Sequence, residues 1–168
     1  GSRAIPLFLS RPGFLKALSV LEDGPLFKIV PMRKAKIGIL VTGTEVFQGL
    51  IEDRFAPIIT QKAQQHHCEV VKTLFAPDDA ALIVRGVRDL LDAGADFIVT
   101  TAGMSVDPDD LTRKGLTEAG LTDTLYGVPA LPGTMTLIGR IGGAQIIGVP
   151  ACALFFKTTV FDIILPRM

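Results

Sequence analysis

Three short stretches of this chain place small hydroxylic residues and carboxylates at the ends of apolar runs. They are Thr42-Gly43-Thr44-Glu45, Pro77-Asp78-Asp79 and residues 100–112, TTAGMSVDPDDLT. In the last, Thr101, Gly103 and Ser105 stand just before a helical pattern. Glycine permits a sharp turn and a close approach to a ligand. Free amides at a helix start, joined by Ser or Thr hydroxyls, can hold phosphate or carboxylate. The acids require a further component, because a carboxylate beside a phosphate repels it unless a cation intervenes. Mg²⁺ takes one or two carboxylates together with phosphate oxygens and water. Asp78 and Asp110, brought together beside a phosphate cradle, would suit a Mg²⁺–nucleotide or phosphoryl-transfer site. Each feature also has a purely structural reading. Asp78, Asp109 and Asp110 can be helix N-caps, each stabilising by about 1 kcal/mol, and Gly103 can be a plain turn. Glu45 can be a solvated acid, and Pro132-Gly133 before Thr134 either a ligand-facing turn or a hairpin connector. Lys157-Thr158-Thr159 can bind an anion or simply face water. Spacing alone does not separate these alternatives.

The elements that must position these residues alternate. KIGILVT at 36–42 is a short β-branched run closed by Gly43, the pattern of a buried strand. Asp53 stands as an N-cap with Pro57 near the first turn. EVVKTLF at 69–75 reads as a second strand, broken by Pro77-Asp78-Asp79. Leu82, Ile83, Val87, Leu90 and Leu91 then recur at helical spacing up to Gly94. DFIVTT at 96–101 is a third strand, followed by a helix from about Asp110 to Ala119 that Gly120 stops. Such alternation implies a mostly parallel sheet covered on both faces, a three-layer α/β/α sandwich. Open parallel sheets bind ligands at the carboxyl ends of their strands, where all three stretches fall. Beyond Gly120, short strands alternate with Gly and Pro, and Gly142-Gly143 signals a hairpin. A last helix is expected from about Ala151 to Leu165. Upstream, IPLFL and LFKIV can be strands and FLKALSVLE a short helix. Residues 1–33 then read as the remnant of a preceding segment, and 34–168 as the domain proper.

Composition excludes several classes. With 48% hydrophobic and 20% charged residues among 168, the chain reads as globular, not disordered. Lys plus Arg and Asp plus Glu both number 17, so no electrostatic footprint for nucleic acid is present. No apolar run approaches the length of about 18 residues that spans a bilayer, and no signal peptide is visible. Cys68 and Cys152 are far apart and suit two reduced thiols in a cytoplasmic protein. His66 and His67 are adjacent, which does not suit a helical metal pair. The opening Gly1-Ser2, without Met, suggests a cloning remnant on a fragment of a longer protein.

Taken together, TGTEVFQG with Asp53, then PDD, TTAGMSVDPDDLT and LPG resemble the molybdopterin-binding domain of molybdenum-cofactor biosynthesis proteins. That family includes adenylyltransferases and the cofactor-binding domain of insertases, and the resemblance covers about residues 36–165. It implies a domain that binds molybdopterin or its adenylylated form, with Mg²⁺ and ATP or with molybdate, in a homotrimer or homodimer. By motif match, Gly43, Thr44 and Glu45 fall in the first ligand loop. Asp78 matches an acid near the site, Thr101, Gly103 and Ser105 match the phosphate loop, and Asp110 matches its essential acid. Pro132 and Gly133 match a turn that frames the pocket. The chain departs from the pattern at Ala102, Asp107, Thr44 and Ala151-Cys152, all ligand-facing positions, which bear on catalysis more than on fold. GTE with Ile51 and PDDLT also resembles the N-terminal domain of the competence-damage-inducible family. That second resemblance implies a metal-dependent nucleotide pyrophosphatase acting on ADP-ribose. A third reading is a non-catalytic binding or oligomerisation module on the same fold.

Overall fold

A computed structural model describes residues 8–20, 22, 24, 29–31, 33–101, 103 and 111–167. The chain divides into two compact units, Gly1–Met32 and Arg33–Met168. The first contains helix α1 (Arg11–Ser19), whose N-cap Ser10 accepts a hydrogen bond from the Gly13 amide. The strands expected at IPLFL and LFKIV fall largely outside the described residues. Phe8, Leu9, Ile29 and Val30 are described and lie in no strand.

The second unit runs β1 (Lys36–Thr42), α2 (Thr44–Phe47), α3 (Phe55–Gln65), β2 (Glu69–Ala76), α4 (Ala80–Asp92) and β3 (Phe97–Thr101). It continues with α5 (Leu111–Glu118), β4 (Leu121–Tyr126), β5 (Leu137–Ile141), β6 (Ala144–Val149) and α6 (Val160–Ile164). The strands form one sheet in the order β2-β1-β3-β6-β5-β4. The β1–β2, β1–β3 and β3–β6 pairs are parallel, and β5 and β4 add an antiparallel edge. A β-strand sends successive side chains to opposite faces. Ile37, Ile39 and Val41 accordingly pack with Phe55, Ile59 and Ala63 of α3 and Phe161 of α6. Leu40 goes the other way, into a cluster with Ile83, Val87 and Leu90 of α4 and Leu116 of α5. Both faces are therefore covered, and the fold is the expected α/β/α sandwich. Leu82, counted above in the apolar pattern, is 42% exposed, so the α4 stripe is narrower than its sequence suggests.

Local chemistry sets the boundaries. Asp79, not Asp78, is the N-cap of α4, its carboxylate accepting from the Leu82 amide at 2.9 Å. Asp79→Ala should lower stability by about 1 kcal/mol in urea denaturation. Asp53 satisfies the start of α3 from outside the helix, accepting from the Phe55 amide at 2.8 Å and the Ala56 amide at 3.1 Å. Gly142-Gly143 does form the β5–β6 turn, flanked by the Ile141–Ala144 pair. The single helix expected over 151–165 is instead two pieces. A 3-10 turn at Ala151–Leu154 ends, and α6 begins afresh with a capping box between Thr159 and Asp162. The two threonines at 158 and 159 explain the break, since Thr favours a cap over a helix interior.

β2 follows β1 on one side, and β3 then crosses to the other side of β1. The connections leaving β1 and β3 diverge at that point, which opens a crevice beyond their carboxyl ends.

Candidate ligand-binding rim at the strand ends

The carboxyl ends of four parallel strands lie level across the sheet. Val41 stands opposite Thr101, Thr101 opposite Val149, and Thr42 opposite Ala76. Gly43 leaves β1 at φ +135°, a conformation that L side chains rarely adopt. This turn lets the Gly43 amide bond the Ala76 carbonyl at 3.0 Å and drops Thr44 next to Asp78. The Thr44 amide and hydroxyl both donate to Asp78 Oδ2 at 2.9 Å, and the Asp78 amide donates back to Thr44 Oγ1 at 3.1 Å. Two of the expected site residues are thus cross-linked, and one carboxylate oxygen of Asp78 is engaged. Glu45 is exposed in the first turn of α2.

Thr101 ends β3 and is wholly buried. Its hydroxyl and that of Thr100 have no hydrogen-bond partner among the described residues. A buried hydroxyl left unpaired costs about 1–3 kcal/mol. An acceptor atom from a ligand or a water at either place would recover that cost. Gly103, the next described residue along the chain, has φ +60°. Ser105 and Asp110 lie outside the described residues, as do Ala102 and Asp107.

One strand over, beyond β6, lies a cleft of about 460 Å³ lined by Leu131, Pro132, Gly133, Met135, Pro150 and Phe156 among others. Pro132 and Gly133 are therefore part of a cavity wall. They also hold α6, for the Pro132 carbonyl accepts from the Val160 amide at 3.0 Å. The Leu131–Pro132 bond is cis. Cys152 lines the same cleft, and burial pushes its thiol up from the ordinary value against the pull of backbone hydrogen bonds. It is correspondingly poor as a nucleophile at neutral pH. Both cysteines are free thiols. Among the described residues, no three His, Cys, Asp or Glu side chains gather as a metal-ligand set. No helix among them is long and apolar enough to cross a membrane.

A hydroxyl donor beside an apolar cleft suits a ligand with a polar end and an apolar body. The Thr101 hydroxyl, without a partner among the described residues, stands at the end of β3, and an apolar cleft begins at the next strand. Sequence reasoning singled out Thr101, Pro132 and Gly133, named Thr42, Thr100 and Thr112 within its stretches without giving them a role, and missed the cleft residues Met135 and Phe156. The Thr of PDDLT and the hydroxyl pair closing an otherwise apolar strand were the available signals.

This fold and rim define a doubly covered α/β domain with a crevice at a topological switch point. The family model described as "Probable molybdopterin binding domain" matches residues 38–168, and the chain belongs to that family. A CinA-like protein of Mycobacterium sp. (strain JLS) is 38% identical over 78 residues, 46% of this chain and 18% of that protein. The chain thus spans under a fifth of that relative's length. Among solved structures, CinA from Thermoplasma acidophilum, of unknown function, superposes with a TM-score of 0.70 at 16% identity, covering 80% of this chain and 98% of that one. The molybdopterin biosynthesis enzyme MoaB from Thermus thermophilus superposes at 0.65 with 22% identity, covering 80% and 91%. At these identities the two structures establish the fold alone.

Proposed function

We propose that residues 34–168 form a domain that binds molybdopterin, or its adenylylated form, in the synthesis of the molybdenum cofactor. One observation supports this reading: the buried Thr101 hydroxyl, without a partner among the described residues, ends β3 one strand from an apolar cleft in a chain of this family. The Thr101 hydroxyl and the Gly103 amide donate to the ligand phosphate, with Ser105 as a further donor. Gly43, Thr44 and Glu45 border the rim from β1, and Pro132 and Gly133 wall the side that takes the pterin body. Asp78 and Asp110 are the residues to hold Mg²⁺, which when bound neutralises charge on phosphate oxygens and admits ATP. Thr44 orients Asp78 for that role through its two hydrogen bonds to Oδ2. No described side chain is a strong nucleophile, so any chemistry rests on positioning and electrostatics. A cytoplasmic homo-oligomer, dimer or trimer, completes the proposal.

A second reading is favoured by the CinA-like match, which is the most identical stretch among the relatives cited above. It makes the same rim a Mg²⁺-dependent pyrophosphatase site for ADP-ribose, with the same acids on the metal.

Titration calorimetry with molybdopterin, with ATP plus Mg²⁺ and with ADP-ribose plus Mg²⁺ distinguishes them. Binding of molybdopterin supports the first reading, and binding of ADP-ribose alone replaces it with the second. Binding of none leaves a structural or interaction module. Thr101→Val keeps the shape but removes the donor, and should weaken molybdopterin binding about tenfold, the equivalent of about 1.4 kcal/mol. Unchanged affinity would remove Thr101 from the site.

A further inference from the structure

Thr42 is the last residue of β1 and only 1% exposed. Its hydroxyl lies 2.7 Å from the Thr101 carbonyl and 2.9 Å from Thr112 Oγ1. A carbonyl can only accept, and a hydroxyl has one proton to give. The Thr42 proton is therefore committed to Thr101, and Thr112 must be the donor of the second bond. The result is a directed chain, from the Thr112 hydroxyl to Thr42 Oγ1, and from the Thr42 hydroxyl to the Thr101 carbonyl. Thr112 is wholly buried too, so no solvent competes for either bond.

The placement of this chain is what gives it meaning. Thr101 is where β3 ends, and Thr112 is the second residue of α5. One β1 side chain thus ties together both flanks of the connection that carries the proposed phosphate donors. We infer that Thr42 and Thr112 are positioning residues. Their hydroxyls fix the start of α5 against the end of β3, so that the Thr101 hydroxyl and the Gly103 amide are preorganised for a phosphorylated ligand. Neither residue touches the ligand. The inference rests on the reading of the rim as a phosphate site, but the clamp itself can be tested without any ligand.

Three variants serve: Thr112→Val, which keeps the shape and deletes the donor; Thr112→Ser, which restores it; and Thr42→Val/Thr112→Val, which replaces both hydroxyls with methyls. Amide hydrogen exchange is followed in the unliganded protein at Gly115–Glu118 of α5, with the β5–β6 hairpin as internal reference. Affinity for molybdopterin is measured alongside. Thr112→Val should exchange about tenfold faster in α5 and bind about tenfold more weakly, each equivalent to about 1.4 kcal/mol. The hairpin should be unaffected. Thr112→Ser should restore both, which a merely space-filling threonine would not do. In Thr112→Val the Thr42 hydroxyl still donates to the Thr101 carbonyl, so that variant keeps one bond of the chain and should fold, while the double variant removes both bonds and should bind at least as weakly. Exchange in Thr112→Val like that of the wild type, a Thr112→Ser as impaired as the Val form, or full affinity in the double variant would each overturn the clamp. If the wild type binds no molybdopterin, the functional reading fails, and the exchange data still decide whether the clamp exists.

Discussion

Gly133→Ala should destabilise this domain by about 3 kcal/mol, the sum of backbone strain and overpacking at about 1–3 kcal/mol each. Gly133 has φ +124°, and a Cβ there would meet Val160 Cβ at 2.7 Å, its Cγ2 at 2.8 Å and its amide nitrogen at 2.9 Å. The neighbour cannot retreat easily, because the Val160 amide is itself bonded to the Pro132 carbonyl. The glycine cannot retreat either, since its carbonyl accepts from the Thr136 hydroxyl at 2.7 Å and from the Thr136 amide at 3.0 Å. In thermal denaturation the melting temperature should fall by about 6–12 °C. Val160→Ala in the same background should recover little, because it removes only the Cγ2 contact and leaves the Cβ and amide contacts in place. A Gly133→Ala variant as stable as the wild type would mean that the turn has room to move, and that Gly133 is not what seats α6 beneath the cleft.

The second large effect concerns how α6 is fixed to α3. Lys62, 12% exposed at its side chain, pairs with Asp162 and also donates to the Lys157 carbonyl at 3.0 Å. Asp162 Oδ2 accepts from the Thr159 amide at 2.7 Å, completing the capping box of α6. Burial acts to raise the Asp162 pKa, but the Lys62 ammonium and the Thr159 donors outweigh it and hold the carboxyl below its ordinary value. A depressed folded pKa stabilises fully above the unfolded value, about 3.9 for Asp. The stabilisation is lost as pH falls through the lower folded value. Lys62→Met strands the carboxylate without its cation. Fully buried pairs cost about 3–5 kcal/mol to break and exposed ones at most about 1, so about 2 kcal/mol is expected at pH 7. The deficit relative to the wild type should narrow below about pH 4, as Asp162 protonates. Urea denaturation at pH 7 and pH 3 checks this. An equal deficit at both would mean that Lys62 acts through its packed methylenes, not its charge.

The pair also shows what reading the residues in order could not reveal. Lys62 and Asp162 are a hundred positions apart, and neither had an unusual local context. By contrast, β1, β3 and α4 were legible, because a strand buried on both faces must be apolar throughout and a helix on a sheet must repeat at 3.6 residues. The break between Leu154 and Val160 was missed because the apolar run there masks it. Only Thr158 and Thr159 mark the interruption.

At the rim the division is similar. Thr101 was singled out from its place at the end of an apolar run before a glycine. That its hydroxyl is buried, and without a partner among the described residues, depends on what covers it. Asp78 was expected with Asp110, and its reciprocal hydrogen bonds with Thr44 arise only because Gly43 turns at a positive φ. Asp78 and Asp79 are indistinguishable as caps by type, and the backbone direction entering α4 decided for Asp79.

The sequence by itself determined the layered α/β architecture, the carboxyl-end location of the rim and the family, since these follow from periodicity, turn residues and short local motifs. Tertiary structure alone decided which hydroxyls are orphaned, which are tied to one another and where the apolar cleft opens. Those properties depend on burial and on contacts across strands far apart in the chain, and no local pattern encodes them.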